Sequence, residues 1–121
     1  MAVEFKTDRA AWKAATDKAA KAAEGALAIQ IKNDSLDYVP DDGEHILRDS
    51  CRIEETEEST DLVWNNVYAG YQWFGARADG SHQVKHYTTS GTGTAWVDKA
   101  KDAHGAEWGQ VAQNAFTEAL K

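Results

Sequence analysis

A chain of 121 residues with a formal charge of −7 and a pI near 5.0 fits one small domain, with a modest core and a mostly wet surface. That charge disfavours a nucleic-acid partner held by phosphate neutralisation and adsorption to anionic membranes. One cysteine, Cys51, cannot form an intramolecular disulfide, and with no signal-peptide pattern or membrane-length apolar run the sequence reads as a soluble protein made in a cytoplasm.

Thr7 or Asp8 can cap a first helix, where acid is favoured at the positive end. Alanine and lysine dominate the following residues and favour helix, which predicts a helix over about 8–29. Trp12, Ala15, Ala19, Ala22, Ala26 and Ile29 recur at spacings of three and four and define its apolar face. Lys13, Asp17, Lys21 and Glu24 mark the wetter side. Alanine buries little area, so this face suits close approach to a sheet or to a second subunit.

Residues 33–43 read as a loop, since Asp41-Asp42-Gly43 is a turn signal and Pro40 cannot continue a helix and biases Val39 to extended geometry. Strands are predicted over about 50–56 and 61–65. Cys51 and Ile53 alternate with Arg52 and Glu54, and the polar run Glu57-Glu58-Ser59-Thr60 suits a hairpin connection. Cys51 is most simply a small buried apolar residue. From Asn33 to Asp61, eleven acids against two arginines leave −9, and the remainder of the chain carries +2. Asp41, Asp42, Glu54, Glu55, Glu57 and Glu58 are the candidate acidic face. It is either a solvated face or a rim that meets basic neighbours and sets partner and register.

Between Leu62 and Gly75 the chain is densely apolar, with Trp64, Tyr68, Tyr71, Trp73 and Phe74 and no carboxylate, amine or imidazole. Residues 67–75 form an aromatic turn. Tyr68 and Tyr71 share a helical face, a third strand is the alternative, and periodicity leaves both open. Residues 76–93 lack a core pattern. Loops this long in small domains are usually functional or disordered, so this is read as a mobile loop that orders against a neighbouring subunit. Its candidate assembly residues are Asp79, Gly80, His82, His86 and Tyr87. Thr94 can cap a closing helix over about 95–119, with Asp98 in its first turn. Val97, Ala100, His104, Trp108, Val111 and Ala115 recur at helical spacing. Gly105 and Gly109 mark a kink or a close approach. The predicted fold class is α+β: a small antiparallel sheet packed by an N-terminal and a C-terminal helix, with a long flexible loop between sheet and last helix, in a single domain over 1–121.

No constellation supports catalysis. His82 and His86 stand four apart, but nothing completes a metal-ligand set at useful spacing. The run from Asp41 to His45 lacks the alternation of a calcium loop, and Gly91-Thr92-Gly93 lacks the lysine and spacing of a phosphate loop. Ser50 and Cys51 have no nucleophile elbow and no histidine nearby in sequence. No catalytic residue, metal ligand or cofactor is assigned, and no enzymatic activity is expected. Five tryptophans remain. They read either as a core bridging two helices and a sheet or as rings covered by a second subunit. Trp64, Tyr68, Tyr71, Trp73, Phe74, Trp96 and Trp108 are the candidate core or interface residues. An aromatic-lined module for carbohydrate or peptide is the alternative function.

Three blocks resemble the minor capsid (neck, head-to-tail joining) proteins of long-tailed bacteriophages. The first is Tyr38-Val39-Pro40-Asp41-Asp42-Gly43 with Leu47-Arg48-Asp49-Ser50, where the gap from Gly43 to Leu47 is about two residues longer than the family's. The second, the most specific, is Val63-Trp64-Asn65 with Tyr68-Ala69 and Gly75. The third is Trp96, Ala100-Lys101, His104 and Trp108, ending in Ala115-Phe116. Together they span Leu36 to Lys121, and the first helix matches only in position and amphipathic character. The resemblance implies a virion protein of the connector, assembled in the host cytoplasm as a ring of copies of itself, without enzymatic role. It would meet head-closure and tail-terminator proteins, and DNA would pass through the channel without specific binding. An acidic lumen would repel phosphate and let DNA slide.

Overall fold

The first helix starts where a carboxylate can cap it. In the computed structural model, which describes residues 2–4, 6–41, 46–66, 69–75 and 92–121 and of Tyr71 only the backbone, Asp8 is extended and its Oδ1 accepts from the Ala11 amide at 3.0 Å. Helix α1 then runs over Arg9–Ser35 and passes into a 3-10 turn at Leu36–Tyr38. The expected end near residue 29 and the loop from residue 33 are therefore corrected. Nothing before Pro40 forbids helix. The modest propensities of Asn33 and Asp34 are offset by packing, with Ser35 fully buried and Asp34 held by tertiary hydrogen bonds. The chain leaves helical geometry at Val39, extended ahead of Pro40 and fully buried.

A short helix α2 (Ile46–Asp49), not anticipated from sequence, leads into the hairpin. Strands β1 (Cys51–Glu55) and β2 (Thr60–Trp64) pair antiparallel, with Cys51 opposite Trp64 and Glu55 opposite Thr60. Thr56 closes the turn: its amide donates to the Ser59 carbonyl at 2.8 Å, and its hydroxyl accepts from the Glu58 and Ser59 amides. The aromatic segment adopts the helical option, α3 (Ala69–Phe74), and Gly75 at φ 74° ends it in the left-handed conformation that glycine tolerates. Helix α4 covers Trp96–Leu120. Its cap is Ala95, at φ 47° and ψ 51° with no side-chain hydrogen bond, which corrects the expectation for Thr94.

The extensive packing is between α1 and α4, with the hairpin laid against α1. The Gly93 amide donates to the Tyr38 carbonyl at 3.2 Å, so α4 begins beside the end of α1. The stripe read on α4 holds: Trp96, Ala100 and Trp108 are buried, and Val97, His104, Val111 and Ala115 are half-buried. On α1 the face is turned from the one expected. Ala19, Ala28 and Ser35 are buried and Ala23, Leu27 and Ile31 half-buried, while Trp12 is 66% and Ile29 55% exposed. Alanines occur on several faces of α1 and carry little directional signal, so Ile29 was placed on the wrong face, whereas Trp12 is in phase with Ala19 but lies beyond the covered turns. Among the described residues neither glycine of α4 meets a neighbouring element. A Cβ on Gly109 would lie in open space, and one on Gly105 would touch only Lys101 of the same helix, at 3.4 Å. The loop expected at 76–93 lies outside the described residues except for Thr92 and Gly93. No helix among the described residues is long and apolar enough to cross a membrane.

Candidate binding groove

Three tryptophans meet where α3, β2 and the start of α4 converge. Trp96 is 2% exposed. Trp64 packs edge-on against it with ring centroids 5.6 Å apart and planes at 70°, and Trp73 does so at 4.8 Å and 82°. Edge-to-face contact places the positive ring edge on a negative ring face and adds about 0.5–1.5 kcal/mol per pair beyond area burial. The amide of Ala95 donates to the Trp73 carbonyl at 3.0 Å, which ties α3 to the entry of α4 and holds the stack together. The indole N–H groups of Trp64 and Trp96 are buried with no hydrogen-bond partner among the described residues, so these two rings are held by packing.

Trp96 closes the corner from within, while Trp64 and Trp73 also line an open groove of about 630 Å³. Leu27, Ala28 and Ile31 of α1, Leu62 of β2 and Val97 of α4 complete its apolar floor. Glu24, Asp61 and Asp98 stand around it with Thr60, and among the described residues no lysine, arginine or histidine lines it. The Thr60 hydroxyl donates to Glu24 Oε2 at 3.3 Å and fastens the hairpin to α1. Among the described residues the groove offers no nucleophile with a base beside it. Its chemistry is that of a receptor for an apolar or aromatic group flanked by positive charge.

A second polar centre ties the long helices together. Trp108 Nε1 donates to Asp34 Oδ2 at 2.6 Å, and Gln30 Nε2 donates to both Asp34 oxygens at 3.1 Å. Burial alone would raise the Asp34 pKa, but the bonds from Trp108 and Gln30 and the nearby His104 imidazole outweigh it and hold the carboxyl below its ordinary value. Ligand atoms of Asp34, His104 and Glu107 lie within 4.8 Å of one another, a donor set of metal-binding type. Both Asp34 oxygens already accept hydrogen bonds, and the Glu107 side chain is 69% exposed and 3.4 Å from His104 Nδ1. The tie between helices accounts for the cluster. Burial pushes the Cys51 thiol pKa up, against the opposing charge of Lys32, which suits an unreactive packed thiol.

The candidate residues divide among several places. Trp64, Trp73 and Trp96 come together. Trp108 is buried apart from them on Asp34, and Phe74 is 77% exposed. Tyr68, the Tyr71 side chain, Asp42 and the assembly-loop residues Asp79, Gly80, His82, His86 and Tyr87 lie outside the described residues. Asp41 stands apart from the other acids, its side chain only 7% exposed and 3.6 Å from Arg48. Glu54, paired with Arg52 at 2.6 Å, and Glu55, Glu57 and Glu58 are exposed on the hairpin. The sequence reading missed the groove's acidic rim. Its members come from α1, β2 and α4, and no local spacing joins them. Asp34 was equally hidden, being 74 positions from Trp108.

The family described as minor capsid protein matches residues 2–116, so the match includes α1, which the three sequence blocks did not reach. No curated protein and no solved structure matches the chain.

Proposed function

Because this chain belongs to the minor capsid protein family, and is thus a phage structural protein and virion component, we propose that it works in the neck that joins head to tail, as a ring of identical subunits. The family match over residues 2–116 carries this reading. The groove supports it, since an apolar floor beside two tryptophans serves adhesion and holds no catalytic pair among the described residues. In the ring, copies of the chain would contact one another head to tail, the heterologous arrangement that closes into a ring when the rotation permits. Head-closure and tail-terminator proteins would meet the two ends. The exposed acids of the hairpin would discourage DNA from sticking to whichever surface carries them. Activity as an enzyme forms no part of the proposal.

Purified protein tests it through sedimentation velocity and negative-stain microscopy. Ring-shaped particles, or binding to isolated connectors or tails, are the expected result. A strict monomer that joins neither overturns it. The groove, walled by Trp64 and Trp73, also favours a second reading, a small aromatic-lined module for carbohydrate or peptide. A monomer whose tryptophan fluorescence titrates with an oligosaccharide would establish that one instead.

A further inference from the structure

The first two turns of α1 project an exposed basic and aromatic surface. Every residue from Arg9 to Ala15 is exposed, and burial begins only at Thr16. Trp12 lies at the centre of this stretch, 66% exposed, although its position falls on the same helical face as Ala19 and Ala23. The apolar stripe of α1 thus runs on into two uncovered turns and ends there in the largest of side chains. Arg9 precedes Trp12 by three positions and Lys13 follows it. From Arg9 to Lys21 four basic residues stand against Asp17 alone, a local charge of +3. The groove presents the complement: an apolar floor with Trp64 and Trp73, and three carboxylates, from Glu24, Asp61 and Asp98, with no basic side chain among the described residues.

We infer that the amino-terminal turns of α1 of one copy dock in the groove of the next, with Trp12 on the apolar floor and Arg9 and Lys13 against the acidic rim. The occupant must come from another copy. Trp12 and Ala28, a floor residue, lie on one unbroken helix, 16 positions or roughly 24 Å apart along its axis, so no chain can fold its own arm into its own groove. Donor and acceptor surfaces are different patches, which is the condition for a head-to-tail chain of contacts that closes into a ring. The bases steer and orient the encounter, and the indole supplies the central anchor, since buried tryptophans dominate interface energetics. This inference rests on the ring reading and specifies its contact.

The test compares the concentration for half-assembly of wild type and variants by sedimentation velocity. Trp12→Ala should raise it ~30-fold, the factor for losing a central aromatic anchor, and leave the thermal midpoint unchanged because the ring is exposed in the single subunit. The double change Asp61→Lys with Asp98→Lys should weaken assembly likewise, and combining it with Arg9→Glu and Lys13→Glu should restore it. Assembly of Trp12→Ala at wild-type concentrations overturns the contact while leaving the ring reading in place. So does assembly that fails in the groove variant alone, which would mean that another segment fills the groove. A wild-type protein that never self-associates overturns contact and ring together.

Discussion

Trp64, Trp73 and Trp96 fill their corner with three indoles, whereas the fully buried residues of the two long helices include Ala19 and Ala100. The two regions achieve burial by opposite means. In the corner a few large rings each remove much apolar area from water, and stability is concentrated in single side chains. Between the helices small side chains let backbones approach, and stability comes from many modest contacts over a long interface. The corner should therefore suffer from truncation, and the helix pair from enlargement.

The largest effect expected is that of Trp96→Ala, a loss of ~3–5 kcal/mol in urea unfolding, the range for emptying a buried aromatic site. Trp64 and Trp73 would lose the ring that both abut. A loss below about 1 kcal/mol would mean that the corner is not a keystone, and the contrast would collapse. Ala100→Leu tests the other side. It adds volume where the side chain is 0% exposed and should cost ~1–3 kcal/mol by overpacking. Tolerance of leucine would show that the helices do not rely on close approach.

Asp34 sharpens the comparison, because it gives the helix pair a side-chain hydrogen bond to an indole, whereas the Trp64 and Trp96 indoles of the corner have none among the described residues. Asp34→Ala leaves the Trp108 indole without its acceptor and should cost ~1.5–3 kcal/mol at neutral pH. The Asp34 pKa is lowered in the fold, so its ionisation contributes stability that is fully present above the unfolded value of about 3.9 and is lost as pH falls through the folded value. The gap between wild type and Asp34→Ala should hold from pH 7 to about 5 and narrow below about 4. A gap that widened in acid would mean that the protonated carboxyl is the form the fold prefers.

Much of this architecture was legible in the chain. The stripe on α4, the hairpin turn after Thr56 and the cap at Asp8 follow from local rules, and the structure has all three. The phase and end of α1 were not legible, because alanine on all sides carries little directional signal and because Asp34 and Ser35 are stabilised by distant packing. The aromatic richness of residues 62–75 singled out Trp64 and Trp73, which are half-buried against Trp96, but it could not distinguish Trp73 from its neighbour Phe74, which is 77% exposed. The groove was invisible, since Glu24, Asp61 and Asp98 become neighbours only through the topology.

The smallest effects concern the two left-handed residues that bracket the path from α3 to α4. Gly75 at φ 74° needs no Cβ, whereas Ala95 at φ 47° carries one in a region that costs an L residue about 1–2 kcal/mol. Gly75→Ala should therefore lower stability by ~1 kcal/mol in calorimetry. Ala95→Gly should relieve the strain but add freedom to the unfolded chain, leaving a gain below ~1 kcal/mol. Ala95 holds this conformation because its amide reaches the Trp73 carbonyl, the bond that keeps Trp73 against Trp96. A marked loss on Ala95→Gly would show that the methyl group itself packs into the corner. The aromatic stack would then hold the turn in place, rather than the turn holding the stack.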